Sequence, residues 1–233
     1  LYVACRESWD FGKVLEVTNP NAATLLTTTE ETRGLAANPL GGMFVSQWRN
    51  SGFSGTVELL HFADNSLETQ PGFSGMNYTN DSVWGDGDLC LDANGSVYTI
   101  SEDDWSLVRY DPALDGCVRV GSGYLNRPSG LAIAPSTASS GSTTGWSLYI
   151  CEFDYLWEKP SVLAPAATLV DSSLGLRVGR TPAGLPNPKY GRPSTIATAP
   201  RSIGVWIGTA GGYVLALDPG SGAVEPLFGP ENG

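Results

Sequence analysis

The sequence holds one histidine, two methionines, and only 13 lysines and arginines against 24 aspartates and glutamates. Each scarcity excludes something. A net charge of −11 removes the basic footprint that phosphate binding needs, so nucleic acid is not an expected partner. Anionic membrane surfaces are disfavoured on the same ground. No run approaches the roughly 18 apolar residues of a helical span, so no membrane insertion is expected. The lone His61 rules out a histidine-rich zinc site and disfavours a Ser-His-Asp triad. A Gly-x-x-x-x-Gly-Lys phosphate loop, a Gly-x-Ser-x-Gly elbow and a Cys-x-x-Cys pair are missing too. Windows with 3.6-residue periodicity are also lacking, and that leaves strands.

What is present is a repeat. An aromatic flanked by aliphatic or β-branched residues returns at Leu1-Tyr2-Val3, Met43-Phe44-Val45, Val97-Tyr98-Thr99, Leu148-Tyr149-Ile150 and Val205-Trp206-Ile207. The step is roughly 40 to 60 residues, the range of a four-stranded propeller blade. Four copies follow a short apolar run, Gly34–Pro39, Asp88–Asp92, Gly130–Pro135 or Thr195–Pro200. Small apolar runs of this kind suit strands crowded around an axis. A third, more alternating strand follows each phrase, and twice it ends in an Asp-Pro turn, at Asp111-Pro112 and Asp218-Pro219. One meander cannot bury both its faces, so the units must stack, and radial stacking gives a propeller. The expected fold is all-β: a single β-propeller domain over 1–233, with about five four-stranded antiparallel blades at 1–29, 33–75, 86–123, 128–180 and 192–229.

The runs Arg127-Pro128-Ser129-Gly130-Leu131-Ala132 and Arg192-Pro193-Ser194-Thr195-Ile196-Ala197, with Gly212–Pro219, carry a resemblance to six-bladed NHL-repeat and SMP-30/gluconolactonase-like propellers. It covers most of the chain and concerns turns and strand fillers. The second unit departs from it by lacking the Asp-Pro turn, and the fourth by a Ser/Thr/Gly insertion at 136–145. Leu1 is read as starting inside a second strand, which leaves the first blade without its innermost strand. The favoured expectation is therefore a segment of a larger, six-bladed protein, with closure by the tail 229–233 as the other reading.

Three glycosylation sequons, at Asn77, Asn80 and Asn94, point to an extracellular or cell-surface glycoprotein. Cys5, Cys90, Cys117 and Cys151 allow three pairings. Cys90 and Cys117 fall on the first and fourth strands of one blade, roughly 14 Å apart at the usual strand spacing, too far for a disulfide.

Carboxylates form the one non-random constellation. Loops at one end of the blades gather Glu7, Asp10, Asp81, Asp86, Asp88, Glu102–Asp104, Glu152 and Asp154, and carboxylates from different blades are a way to build a Ca²⁺ cage. SMP-30-like lactonases hold a metal at the channel mouth. That resemblance implies Glu102 or Glu152 as its glutamate and Asp88 as its aspartate, although no full motif matches. Trp9, Trp48, Trp105 and Trp157 follow the second strands and suit stacking on a glycan or anchoring a protein partner. With no catalytic set complete, the expected function is a non-catalytic interaction or structural module of a larger surface or fibre-forming assembly, partnered by protein, glycan or further segments of that assembly. The alternatives are a metal-dependent lactonase or hydrolase and a carbohydrate-binding propeller.

Overall fold

The computed structural model describes residues 1–8, 11–19, 21–38, 41–49, 54–69, 88–92, 94–101, 106–111, 116–120, 125, 128, 130–135, 146–152, 156–160, 176–179, 189–191, 193–199, 204–218 and 223–232. These residues form five antiparallel sheets, each a meander in chain order. The first has three strands: β1 (Tyr2–Ser8), β2 (Phe11–Asn19) and β3 (Ala22–Thr29). The second comprises β4 (Glu31–Ala37), β5 (Met43–Arg49), β6 (Ser54–Leu60) and β7 (Leu67–Thr69). The third comprises β8 (Leu89–Leu91), β9 (Val97–Ser101), β10 (Ser106–Asp111) and β11 (Gly116–Val120). The fourth runs β12 (Gly130–Pro135), β13 (Trp146–Cys151), β14 (Leu156–Pro160) and β15 (Leu176–Gly179). The fifth runs β16 (Pro193–Thr198), β17 (Val205–Thr209), β18 (Val214–Leu217) and β19 (Val224–Phe228). Among the described residues the only helix is a single 3-10 turn at Pro230–Asn232, so no helix is long and apolar enough to cross a membrane.

The sheets stack through their leading strands. β1 packs on β4, β4 on β8, β8 on β12 and β12 on β16. Leading strands side by side around an axis, with outer strands fanning away, make the chain a β-propeller. Gly130 shows how tightly the strands approach: a Cβ there would lie 2.8 Å from Ile196 Cγ2. Gly42, at φ +86°, is held in the left-handed region, and any side chain would meet the Leu60 carbonyl.

The repeated phrase explains the stacking. Successive residues of a strand face opposite ways. The aromatic therefore looks forward to the next blade and its flanks look back. Phe44 packs on Leu89, Val97 and Val108 of the third blade. Tyr98 packs on Leu131, Leu148 and Ile150 of the fourth, and Tyr149 on Ile196, Val205 and Ile207 of the fifth. Met43 and Val45 look back onto Val14 of the first blade. Directly opposite each aromatic, the leading strand carries a small residue: Ala36 faces Phe44, Cys90 faces Tyr98, Ala132 faces Tyr149, and Ala197 faces Trp206. The small residue makes room for the ring.

One expectation fails. β1 is not a second strand that lacks its inner neighbour; it holds the innermost position itself, packed on β4 as β12 is on β16. The first sheet has three strands because no outer fourth strand follows β3. The aromatic phrase marks which way a strand faces, and that alternation is the same in a first or a second strand.

Candidate functional site

The leading strands β4, β8, β12 and β16 line an open-sided channel of about 590 Å³. Its wall is mostly apolar, set by Leu35, Leu89, Leu91, Ile133 and Ile196 with small alanines between them. Three polar side chains in this wall, Asp88, Asp92 and Thr198, tie backbone together.

Asp88 precedes β8. Its Oδ1 accepts the Leu89 amide and its Oδ2 accepts the Leu131 amide of the next blade, both at 2.9 Å. At the following junction the Thr198 hydroxyl donates to the Ile133 carbonyl at 2.6 Å. Asp92 closes the hairpin from β8 to β9. It accepts from the Asn94 and Ser96 amides at 2.9 and 3.0 Å and from the Tyr98 hydroxyl at 3.0 Å. The buried Arg109 donates to Ser96 Oγ at 3.0 Å and lies 5.9 Å from the Tyr98 ring centre. Burial and the nearby Asp92 raise the Tyr98 phenol far above its usual range. Burial, with Asp88 and Asp92 alongside, pushes the Cys90 thiol well up. A thiol so placed is a small wall residue rather than a nucleophile.

The proposed metal ligands are only partly brought together. Gly130 pairs with Cys151 where β12 begins, and Asp88 reaches Leu131 there, so Asp88 and the buried Glu152 share one end of the channel. Glu102 lies outside the described residues. Ca²⁺ takes six to eight oxygens, whereas here one carboxylate is already bonded to two amides and a second is buried. Among the described residues no group of three or more metal-binding side chains forms.

Other candidates land differently from expectation. Trp48 lies within β5, paired with Glu31 and Gly55, and Trp157 lies within the third strand β14, paired with Ile150 and Arg177. Neither is on a loop after a second strand, because β5 runs on to Arg49 and the third strand β14 already begins at Leu156. Trp9 and Trp105, Asn77 and Asn80 are outside the described residues. Asn94 is exposed in its turn, whereas Ser96 of the same sequon is buried under Arg109. His61 sits one residue beyond β6, partly exposed, its Nε2 2.9 Å from Glu68 Oε2 and away from the channel wall. Cys5 and Cys90 are free thiols, and Cys151 is buried.

Sequence reasoning missed a buried polar cluster between the first two blades. Gln47 Oε1 accepts the Glu30 amide at 2.9 Å, and Gln47 Nε2 donates to Glu58. Thr29 and Thr32 bond each other beside them, and Glu31 is fully buried. Glu58 alternates with apolar Val57 and Leu59, and Gln47 follows Ser46, as solvent-facing strand residues do, so nothing in the pattern marked them as interior.

No protein-family model matches the sequence, and no curated protein does. Solved structures share the fold at very low identity. A chain of the nidogen/laminin complex is 10% identical with a TM-score of 0.62, over 98% of this chain and 80% of that one. An auxiliary nutrient binding protein from Bacteroides thetaiotaomicron is 13% identical with a TM-score of 0.54, over 96% and 58%. A catalytically inactive virginiamycin B lyase from Staphylococcus aureus, bound to quinupristin, is 12% identical with a TM-score of 0.55, over 96% and 68%. Binding proteins and an enzyme thus stand side by side on this fold.

Proposed function

We propose that the chain is a non-catalytic extracellular β-propeller that serves as a protein-interaction or structural module of a larger surface assembly. One observation carries this reading: Asp88 and Asp92, the carboxylates of the channel wall, hold backbone amides instead of facing a substrate. Carboxylates engaged in this way serve as ties within and between blades. The charge of −11 makes a basic protein surface the natural partner. A similar chain in the nidogen/laminin complex is seen bound to another protein.

The second reading, a metal-dependent lactonase, draws on Asp88 and the buried Glu152 lying toward the same end of the leading strands. A single series separates the two. The chain is secreted from a glycosylating host, mass-mapped at Asn77, Asn80 and Asn94, and assayed by biolayer interferometry on immobilised basic and acidic proteins at rising salt. Lactone and ester turnover is measured alongside with Ca²⁺ or Zn²⁺. The expected result is occupied sequons, salt-sensitive binding to the basic set and no turnover. Turnover that needs the metal and disappears in Glu152→Gln would establish the lactonase instead.

A further inference from the structure

Three segments of the fifth blade meet in a notch away from the channel wall. Lys189–Gly191 lead into β16, Gly211 and Gly212 turn β17 into β18, and Pro230–Asn232 form the 3-10 turn after β19. The Tyr190 carbonyl accepts the Gly211 amide at 3.2 Å, and a Cβ at Gly211 would stand 2.5 Å from that same oxygen. A Cβ at Gly229 would stand 2.3 Å from Tyr213 Cε1. Glycine at both places lets backbone and rings close up, and that closeness fixes the rings. Tyr190 and Tyr213 stand edge to face, with centroids 4.9 Å apart and planes at 90°.

The notch has two aromatic walls and one acidic wall. The Tyr213 hydroxyl donates to the Glu231 carboxylate, and that bond raises the Tyr213 phenol. The Glu231 backbone amide and the same hydroxyl hold the Glu231 carboxyl below its usual range, so it is ionised at neutral pH. Lys189 hangs over the opening. Its Nζ lies 5.3 Å from the Tyr190 ring centre, 5.9 Å from that of Tyr213 and 3.9 Å from Glu231 Oε1. A charge-assisted N–H···O bond is about 2.7–2.9 Å long, and cations act on rings out to about 6 Å. The primary ammonium thus stands at the outer limit of both rings and beyond bonding distance of the carboxylate. The space is that of a wider cation, one whose methyl carbons meet ring carbons at about 3.5–4.0 Å and donate no hydrogen bond. Lys189 and Glu231 are each more than half exposed, so the mouth is open.

We propose that Tyr190, Tyr213 and Glu231 form a binding site for methylated or quaternary ammonium groups, with Lys189 as its built-in competitor. The tyrosine faces carry the negative side of the ring quadrupole. A methylated ammonium stacks on such faces at a smaller desolvation cost than the strongly hydrated primary ammonium of lysine. Glu231 supplies the charge that the rings lack. Lys189 moves out into solvent as the guest enters, so its removal strengthens binding. A free small cation and a methylated lysine side chain share this chemistry. The site lies outside the channel and stands independently of the interaction role proposed above, so either reading can fail alone.

The test titrates the whole chain with tetramethylammonium chloride, against sodium and ammonium chloride at matched ionic strength, and reads isotope-labelled tyrosine rings by NMR. The Tyr190 and Tyr213 rings should shift with a Kd on the order of millimolar, and neither control salt should move them. Lys189→Ala should tighten binding about threefold, and Glu231→Gln should weaken it by about as much. Tyr190→Leu should abolish it. The backbone amide spectrum reports whether each variant is folded, and the two exposed variants decide the matter if Tyr190→Leu perturbs the fold. Choline and N-acetyl-trimethyl-lysine are then compared. Tighter binding of the lysine derivative assigns the guest to a modified protein, and no gain assigns it to a free cation; both support the site. Three results would overturn the inference: no ring shift in either the parent chain or Lys189→Ala well above the expected Kd, an equal response to ammonium, or binding that survives in folded Tyr190→Leu.

Discussion

The junction between the fourth and fifth blades and the junction between the first and second answer the same packing problem with different materials. The former is dry: Ala132, Ala134, Tyr149 and Cys151 meet Ile196, Val205, Ile207, Leu215 and Leu217, all buried. The latter has a smaller apolar patch of Val14, Met43, Val45 and Leu60, with Thr29, Thr32, Gln47 and Glu58 buried around it. Dry contact is additive and tolerant, because dispersion and water exclusion do not depend on exact direction. A buried polar contact is conditional, since each group left without its partner costs its full desolvation. The fourth and fifth blades are thus held mainly by area, with the single Thr198–Ile133 bond beside it, and the first and second by matching.

Substitutions at each junction sharpen the contrast. Tyr149→Ala should show the largest effect, a loss of about 3–5 kcal/mol from an emptied aromatic site, measured by urea denaturation. The same measurement on Gln47→Leu should give about 2–3 kcal/mol, because it strips a donor from Glu58 and an acceptor from the Glu30 amide. The distinction lies in coupling. Gln47→Leu combined with Glu58→Leu should be non-additive by about 1 kcal/mol or more, whereas pairing Tyr149→Ala with Gln47→Leu should add.

The smallest effect belongs to the third blade and depends on pH. The Cys90 thiol is raised in the folded protein. The unfolded chain therefore releases this proton first, as pH passes about 8.5. The contribution is fully present below that pH and is lost as pH rises toward the folded value. Tm should fall from about pH 8.5 upward, and Cys90→Ala should flatten the fall. Alanine already stands opposite the aromatic in the second, fourth and fifth blades, so this variant should fold. An unchanged alkaline slope in Cys90→Ala would place the titration elsewhere.

How much of this was legible in the sequence depends on what kind of information each feature needs. The aromatic phrase with its small partner is local, and it recurs, so the number of blades and the all-β class could be read directly. The direction each aromatic faces needed the stacking order as well. The inner position of β1 was misread because the phrase Tyr2-Val3 carries the same alternation in a first or a second strand. The Gln47–Glu58 contact joins neighbouring strands, but its burial comes from the first blade lying over it, a tertiary fact that no spacing encodes. Asp88 was singled out as a metal ligand. Its bond to Leu131, 43 residues away, could not be seen before the blades were laid side by side.

That long-range bond has a consequence for how the molecule comes apart. Arrays of stacked repeats unfold according to the balance between each repeat and its coupling to neighbours. Asp88 stitches the third blade to the main chain of the fourth, and Thr198 stitches the fifth to the fourth through the Ile133 carbonyl. A blade cannot peel away without orphaning a group on the adjacent one. The third, fourth and fifth blades should therefore open together, while the first blade, three-stranded and exposed on one face, should exchange its amides ahead of them in native-state hydrogen exchange.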